Sequence, residues 1–228
     1  MLLNKINIPL SKGLEMKNYR EDILNNFIER YEKSSYYKGK SLKPQKSSIV
    51  LHERYPQYGQ SRYPEVLEKI EDVVLQLEKE DLIQFAKGSI EGNRKLIFVP
   101  TEERVSKIYQ ELDRTPLKEK RNQYLNCLKM YELDSFFKDF QIAMEEKVFN
   151  YESVSPYLKV YDQEDLKNVM KILQGMKNQE EEISFRKFSE KVLGDTKKLE
   201  KYKNKIYHII KDFYDDSIEN IDDAFELF

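Results

Sequence analysis

The 228-residue chain has one cysteine, no tryptophan, two histidines, seven glycines and seven prolines. A single cysteine, Cys127, excludes an intramolecular disulfide framework and favours a reducing cytosol. So few glycines and prolines leave little room for the many tight turns of an all-β fold. No run of about 18 apolar residues occurs, and the opening MLLNKINIPLSKG is too short and too polar for a signal peptide. We therefore expect a soluble cytoplasmic protein with no membrane association.

Motifs for common metal, nucleotide and nucleophile chemistry are also missing. Two histidines supply few ligands, and no HExxH, CxxC, GxxxxGK[ST] or GxGxxG pattern occurs. Cys127 has no histidine near it in sequence, which favours a half-buried helix residue over a nucleophile. Tyr55, Tyr58 and Tyr63 lie among basic residues, but packing or stacking tyrosines are commoner than tyrosines that attack DNA phosphate. We predict no catalytic residue, bound cofactor or metal site in this chain.

Charge and aromatic surface are abundant. Charged residues make up 35% of the chain and aromatic residues 12%, which suits helices with one ring-rich face and one solvated face. The net charge of −2 hides an asymmetry, because residues 214–228 carry six acids and no base. Residues 33–63 carry seven bases and a single acid, Glu53. This asymmetry predicts a polyanion-binding region in the basic segment.

Hydrophobic periodicity over residues 19–114 predicts the order helix, strand, helix, hairpin, helix. This order is typical of a winged-helix-like domain with a small antiparallel sheet, in which the helix before the hairpin often enters a DNA major groove. The predicted elements are a helix at 19–34, a strand at 47–55, a helix from Pro64, a hairpin with strands at 83–86 and 96–99 around Gly88–Arg94, and a helix from Thr101.

The helix that begins at Pro64 is acidic, which disfavours direct base readout through its body. We expect DNA contacts from the basic loop that precedes it, from its Arg62 end and from the hairpin, or wing. Such contacts reach phosphates and give salt-dependent, sequence-independent affinity. The candidate DNA-binding residues of this domain are Lys38, Lys40, Lys43, Lys46, Arg54, Arg62, Lys87, Arg94 and Lys95.

Four regions follow from these patterns. Residues 1–18 form an N-terminal extension and residues 19–114 the winged-helix-like domain. Residues 115–213 contain no convincing strand and predict a helical domain, in which Asp162 caps a helix. Residues 214–228 form an acidic tail or linker. The predicted fold class is α+β, mostly α.

The stretch LGDTKK in the helical domain has two interpretations. Gly194 suits the end of one helix in a left-handed conformation, and Asp195 or Thr196 suits the cap of the next. Lys197 and Lys198 then fall in a first helical turn, where they oppose the helix dipole, and a bound phosphate would remove that conflict. The stretch is either a capped corner with solvated lysines or a turn that adds Lys197 and Lys198 to the DNA contacts.

Four motifs follow one another along the chain: YEKS at 31–34, LEKEDLI at 77–83, YQELDRTP at 109–116 and FSEKVLGDTKKLE at 188–200. In this order they resemble the N-terminal region of JetD proteins, the nuclease subunits of Wadjet bacterial antiplasmid defence systems. The JetD family is similar to the topoisomerase VI A subunit. Its members carry an N-terminal arm and winged-helix portion before a Toprim domain whose acidic residues bind divalent metal and cut DNA.

The resemblance implies a non-catalytic part of a plasmid-defence nuclease that binds double-stranded plasmid DNA and docks the SMC-type JetABC complex. No position of this chain matches the Toprim Glu or DxD carboxylates, so residues 214–228 lead toward a Toprim domain that the chain lacks. Divalent metal is expected only in that domain. Two alternatives stay open, a stand-alone winged-helix regulator with a helical dimerisation domain and a protein-binding scaffold, and a homodimer is also left open.

Overall fold

The computed structural model describes residues 18–131, 135–179, 181 and 183–226. These residues are mostly helical with a small three-stranded antiparallel sheet, so the predicted α+β, mostly α fold class is confirmed. The chain divides into two compact units, Met1–Arg114 and Thr115–Phe228. The predicted N-terminal extension lies outside the described residues except for Asn18, whose side chain accepts the Glu21 N–H at 3.1 Å and caps the first helix.

The first unit combines four helices with the sheet among its described residues. Its strands are antiparallel in the order β1-β3-β2, with Ser47 opposite Phe98 and Gln84 opposite Ile97. The elements are α1 (Tyr19–Lys33), β1 (Ser47–Val50), α2 (Leu51–Arg54), α3 (Pro64–Lys79), β2 (Gln84–Phe85), β3 (Lys95–Phe98) and α4 (Glu102–Glu111).

The predicted strand at 47–55 is wrong in its second half. β1 ends at Val50, and the following residues turn into α2. Leu51 and Tyr55 are both buried, and the Tyr55 hydroxyl donates to the Asp22 carboxylate at 2.6 Å. Glu53, midway between them, is exposed, whereas a strand would place it on the same face as Leu51 and Tyr55, so this burial pattern fits a helical turn.

The core of the first unit lies between the inner face of the sheet and the apolar faces of α1 and α3. Phe27 of α1 packs on Phe98 of β3 with a ring centroid distance of 5.3 Å. Fully burying each large apolar side chain contributes about 1.5–3 kcal/mol, so the stripe positions dominate the stability of this unit. Its buried residues include Ile23, Leu24, Ile28, Ile49, Ile70, Val74, Leu77, Leu96 and Ile108.

The described residues of the second unit form helices without a strand. α7 is its most buried helix, and the Asp162 side chain accepts the Asp165 N–H at 3.0 Å, which confirms the predicted cap. The elements are α5 (Leu117–Lys129), α6 (Ser135–Phe149), α7 (Gln163–Lys177), α8 (Phe185–Leu193), a 3₁₀ helix (Lys198–Tyr202), α9 (Lys203–Phe213) and α10 (Ile221–Glu226).

The acidic segment 214–228, predicted as a tail or linker, packs on the second unit within its described residues. Ile218 and Ala224 are buried in the core, and the Phe225 ring meets the Phe185 ring edge-on at 5.3 Å. The charge count hides these apolar residues, which are spaced so that one face of the segment can be buried. Throughout the described residues, the helices are too short or too polar to cross a bilayer.

Candidate nucleic-acid interface

The basic loop (residues 34–46) joins α1 to β1 and is held at its start by α1. Ser34 ends the helix, and its hydroxyl donates to the Tyr31 carbonyl at 2.6 Å and accepts the Tyr37 N–H at 3.2 Å. The Tyr31 and Tyr37 rings meet edge-on at 5.1 Å. Gly39 has a φ of +73°, which lets the chain turn outward. The loop therefore leaves the helix in a defined direction.

The outer part of the basic loop carries the predicted lysines. Its turn is closed by the Ser41 hydroxyl, which accepts the Lys43 N–H at 3.3 Å and donates to the Lys43 carbonyl at 3.2 Å. Leu42, between them, is 98% exposed. Among the residues that the structure describes, no carboxylate pairs with any of the four lysines. These are Lys38, which is half-buried, and Lys40, Lys43 and Lys46, which are exposed.

Two of the arginines predicted to contact DNA pair with carboxylates within the fold. Arg54 holds Asp22 with two hydrogen bonds of 2.7 and 3.1 Å, and this partner raises the pKa of Arg54 further above its usual value. The Arg94 Nε donates to buried Glu71 at 2.5 Å, and its guanidinium lies 4.4 Å from the centre of the Phe85 ring. Both carboxylates lie more than twenty residues away in sequence, so the basic residue count could not reveal these pairs.

The wing (residues 86–95) comprises the loop that joins β2 to β3 and the first residue of β3, and it carries an exposed lysine near each end. Lys87 and Lys95 are both exposed, and Lys95 precedes buried Leu96 in β3. Arg62, just before α3, is also exposed, donates to the Gln60 side chain at 3.1 Å and lies 5.1 Å from the centre of the Tyr63 ring. These three cations are less constrained than Arg54 and Arg94.

The sheet register separates the basic loop from the wing lysines. The loop enters β1 at Ser47, opposite Phe98, whereas Lys95 is opposite Val50 at the other end of the strand. Three residues of strand span about 10 Å. The register therefore places the basic-loop lysines and Lys95 toward opposite ends of β1.

The LGDTKK corner lies in the second unit, and the prediction for its second half is wrong. Gly194 ends α8 at φ +71°, as predicted, but neither Asp195 nor Thr196 caps an α-helix. The Asp195 side chain accepts the Lys197 N–H at 2.7 Å, and the 3₁₀ helix follows without a side-chain cap. Lys197 is exposed, whereas Lys198 pairs with Glu164 at 3.2 Å.

Buried Ser189 bonds a backbone N–H that a side-chain cap on the 3₁₀ helix would otherwise satisfy. Its hydroxyl donates to the Asp195 carbonyl and accepts the Leu199 N–H at 3.1 Å, so α8 itself satisfies the turn that follows it. With its backbone groups bonded in this way and Lys198 paired, the corner has the contacts of an architectural turn. Sequence reasoning missed Ser189 because a serine inside a helix gives no local signal for such a bridge.

Tyr55 and Tyr58 are engaged in the same way as the arginines. Both hydroxyls donate to carboxylates, Tyr55 to Asp22 and Tyr58 to Glu71. Burial, followed by these hydrogen bonds, raises the pKa of both tyrosines above the usual value. Both side chains are buried in the core of the first unit, which agrees with the prediction that these tyrosines serve packing.

Three of the four sequence motifs, YEKS, LEKEDLI and YQELDRTP, meet in the first unit. Buried Glu32 of YEKS accepts from Tyr109 at 2.9 Å and from Arg114 at 2.5 Å, and both of those belong to YQELDRTP. Arg20 pairs with Glu80 of LEKEDLI and with Glu111 of YQELDRTP. The motifs therefore supply contacts that hold α1, α3 and α4 together. None of these contacts involves a predicted DNA-binding residue.

Within the described ranges, no group of three or more His, Cys, Asp or Glu side chains is arranged to hold a metal ion. No protein-family model, curated protein or solved structure matches this chain. The geometry of its own residues therefore has to carry the functional assignment.

Proposed function

We propose that the first unit is a winged-helix-like module that binds the phosphate backbone of duplex DNA. The order α1-β1-α2-α3-β2-β3 and the strand order β1-β3-β2 support this, because they place a helix immediately before a two-stranded wing. The basic loop and the wing lysines would be the two contact regions. The two ends of β1 lie about 10 Å apart, and because a duplex carries a negative charge for about every 1.7 Å of its axis, both regions could meet phosphates of one duplex.

The observation that carries this proposal is the contrast between paired arginines and unpaired lysines. Arg54 and Arg94 serve the fold, whereas none of the basic-loop lysines has a carboxylate partner among the described residues. A cation without a carboxylate partner is available to a phosphate, and the counterions that it displaces from the DNA make binding salt-dependent. The loop contains no acid of its own that would repel the DNA.

The exposed face of α3 supports backbone binding over base reading. Glu65, Glu68 and Asp72 are exposed on this helix, and they would be repelled by the phosphates that line a groove. We therefore propose sequence-independent binding in which α3 stays outside the major groove.

The same acidic face favours a second candidate, a protein-binding scaffold. Leu75, at 46% exposure, adds an apolar residue to the solvent side of α3. An acidic helix face with an apolar residue suits a basic protein partner better than DNA.

The wider proposal is that the chain is the non-catalytic, partner-docking part of a JetD-like nuclease. The four ordered motifs support it, and the contacts among three of them support a shared architecture more than a shared DNA site. In this proposal the metal-dependent chemistry belongs to a Toprim domain outside this chain. Co-purification with SMC-type JetABC subunits tests the docking, and a chain that leaves those subunits unbound would refute it.

The DNA proposal is tested by measuring binding to a short linear duplex across about 50–200 mM salt, where phosphate contacts change affinity most. The test variant replaces Lys38, Lys40, Lys43 and Lys46 by Gln. For each lysine that contacts a phosphate, the slope of log affinity against log salt should become shallower by about 1. The control variant removes the same charge from exposed helical positions of the second unit, Lys120, Lys129, Lys167 and Lys171.

Each outcome selects one reading. A shallower slope in the basic-loop variant and an unchanged slope in the control support the proposal. Equal losses in both variants would mean that net charge alone governs binding. A narrow sequence preference would favour the stand-alone regulator, and no binding at low salt would leave the scaffold. A third variant with Lys197 and Lys198 replaced by Gln shows whether the corner contacts DNA, and we expect no change.

A further inference from the structure

We propose that Glu71 is a positioning residue that holds the wing in place against α3, so that Lys87 and Lys95 are presented to DNA in a fixed arrangement. This inference rests on the proposed DNA-binding function. In the sequence, Glu71 counts only as one of the acids that weaken base readout by α3. In the structure, it is the one carboxylate among the described residues of α3 that faces inward.

The Glu71 carboxylate receives three donors from two different segments. The Tyr58 hydroxyl donates to Oε1, the Gly92 N–H donates to Oε1 at 3.3 Å and the Arg94 Nε donates to Oε2 at 2.5 Å. Tyr58 belongs to the loop after α2, whereas Gly92 and Arg94 belong to the wing. We call Tyr58, Glu71, Gly92 and Arg94 the wing latch.

A close backbone contact beside the latch leaves no room for a side chain at Gly59. The backbone of Gly59, next to Tyr58, approaches Gly92 so closely that a Cβ on Gly59 would clash with the Gly92 carbonyl oxygen. A Cβ added to Gly92 would lie 4.0 Å from the Leu67 side chain of α3, so Gly92 lies close to that helix. The wing is therefore held at its turn by the contact between Gly59 and Gly92, and at its base by the pairing of β2 with β3.

Burial shields the hydrogen bonds of the latch from water, so water cannot readily replace them. The Glu71 side chain is 8% exposed and the Arg94 side chain 15% exposed. Arg94 also packs its guanidinium over Phe85, the last residue of β2, which ties both strands of the hairpin to the same carboxylate. A buried charge that loses one partner leaves the other uncompensated, so the latch should open as a unit.

The sign of the effect on DNA separates positioning from simple electrostatics. Glu71→Gln removes a negative charge beside the wing, which by charge alone would strengthen binding to a polyanion. A positioning role predicts the opposite, because a loosened wing presents its two lysines in many arrangements. Asp72→Asn is the matched control, since Asp72 is the next residue on α3, is exposed and leaves the latch intact.

The experiment measures hydrogen exchange of the wing amides in the free full-length chain, together with DNA affinity across salt. In Glu71→Gln we expect wing exchange to become at least about tenfold faster. We also expect weaker DNA binding, with a slope shallower by up to about 2 for the two wing lysines. In Asp72→Asn both the exchange rates and the slope should stay unchanged. Exchange in α7 of the second unit serves as an internal reference.

Unchanged wing exchange in Glu71→Gln would overturn the latch. Faster wing exchange with stronger or equal DNA binding would overturn the positioning role. If Glu71→Gln fails to fold, Tyr58→Phe removes a single donor and should give a smaller change in the same directions, and no change would count against the proposal. If the unsubstituted chain binds no duplex, the proposed function and the positioning role fail together, and the exchange result alone decides whether the latch exists.

Discussion

Replacing Gly59 by alanine is expected to separate the loop after α2 from the wing and to destabilise the first unit. Gly59 has a φ of +78°, and an added Cβ would lie 3.1 Å from the Gly92 carbonyl carbon and closer still to its oxygen. Both of those atoms are backbone, so no side chain can rotate away. The two segments would have to move apart by about 1 Å to reach an ordinary carbon–oxygen contact of about 3.3 Å.

The magnitude follows from two contributions. Forcing alanine into the left-handed region costs roughly 1–2 kcal/mol. Alanine also lowers the conformational entropy of the unfolded chain, which offsets about 0.4–1 kcal/mol of that cost. The movement of Gly92 also breaks its 3.3 Å hydrogen bond to Glu71, and leaving a buried group without its partner costs about 1–3 kcal/mol. We therefore expect Gly59→Ala to lower the free energy of unfolding of the first unit by about 2–4 kcal/mol.

Gly88→Ala is the matched control for this change. Gly88 has a φ of +80°, yet an added Cβ would meet nothing within 4 Å. The control therefore carries the backbone strain without the clash, and it should cost about 1 kcal/mol or less.

Native-state hydrogen exchange of the β3 amides measures both variants in the intact chain. Slow exchange there reports opening of the first unit, and amides of the second unit provide the reference. Gly59→Ala should speed β3 exchange by about 30-fold or more relative to wild type, and Gly88→Ala by about fivefold, since 1.4 kcal/mol corresponds to tenfold. Equal effects of the two substitutions would refute the idea that the Gly59–Gly92 approach fastens the wing.

Two further predictions concern the second unit. Ser189→Ala should destabilise it by roughly 1–3 kcal/mol, because Leu199 N–H and the Asp195 carbonyl lose their shared partner; unchanged exchange of the α8 and 3₁₀ amides would contradict this. The pKa of Asp162 is held below its usual value, first by the accepted Asp165 N–H and then by Lys159. Its carboxylate therefore stabilises the unit above about pH 4 and loses that contribution as the pH falls. Asp162→Asn keeps the cap but does not titrate. The urea midpoints of this variant and of the wild type should therefore converge as the pH falls. Parallel pH profiles of the two proteins would show that Asp162 contributes nothing to acid lability.

The local parts of this fold could be predicted from the sequence. The apolar stripe of α3 follows from residue spacing alone, and Pro64, Asp162 and Gly194 mark element ends through backbone chemistry that acts within a few residues. The α+β, mostly α class follows because helical periodicity dominates and turn residues are few. Periodicity failed at Leu51–Arg54, where a helical turn directly after the strand buries Leu51 and Tyr55 and leaves Glu53 exposed.

The candidate site could be predicted only as a collection of charges. The sequence shows that residues 33–63 are basic, but it cannot show that Arg54 is paired with Asp22 while Lys40 and Lys43 remain without a described partner. The wing latch was missed for a related reason: spacing places Glu71 on the apolar side of α3, four residues after Leu67 and three before Val74, but it cannot show which donors reach its carboxylate.

The sequence by itself therefore determined most of the helices and their order, the hairpin and the basic region, since these depend on spacing and composition over short windows; the short helix α2 was not among them. The tertiary structure alone decided which charged residues pair within the fold and which face solvent. It also showed that apolar residues of the acidic segment are buried in the core of the second unit. The physical reason is that a charge is neutralised by whichever partner folding brings within about 3 Å. For Arg54, Arg94 and Glu71, that partner is distant in sequence and known only once the chain has folded.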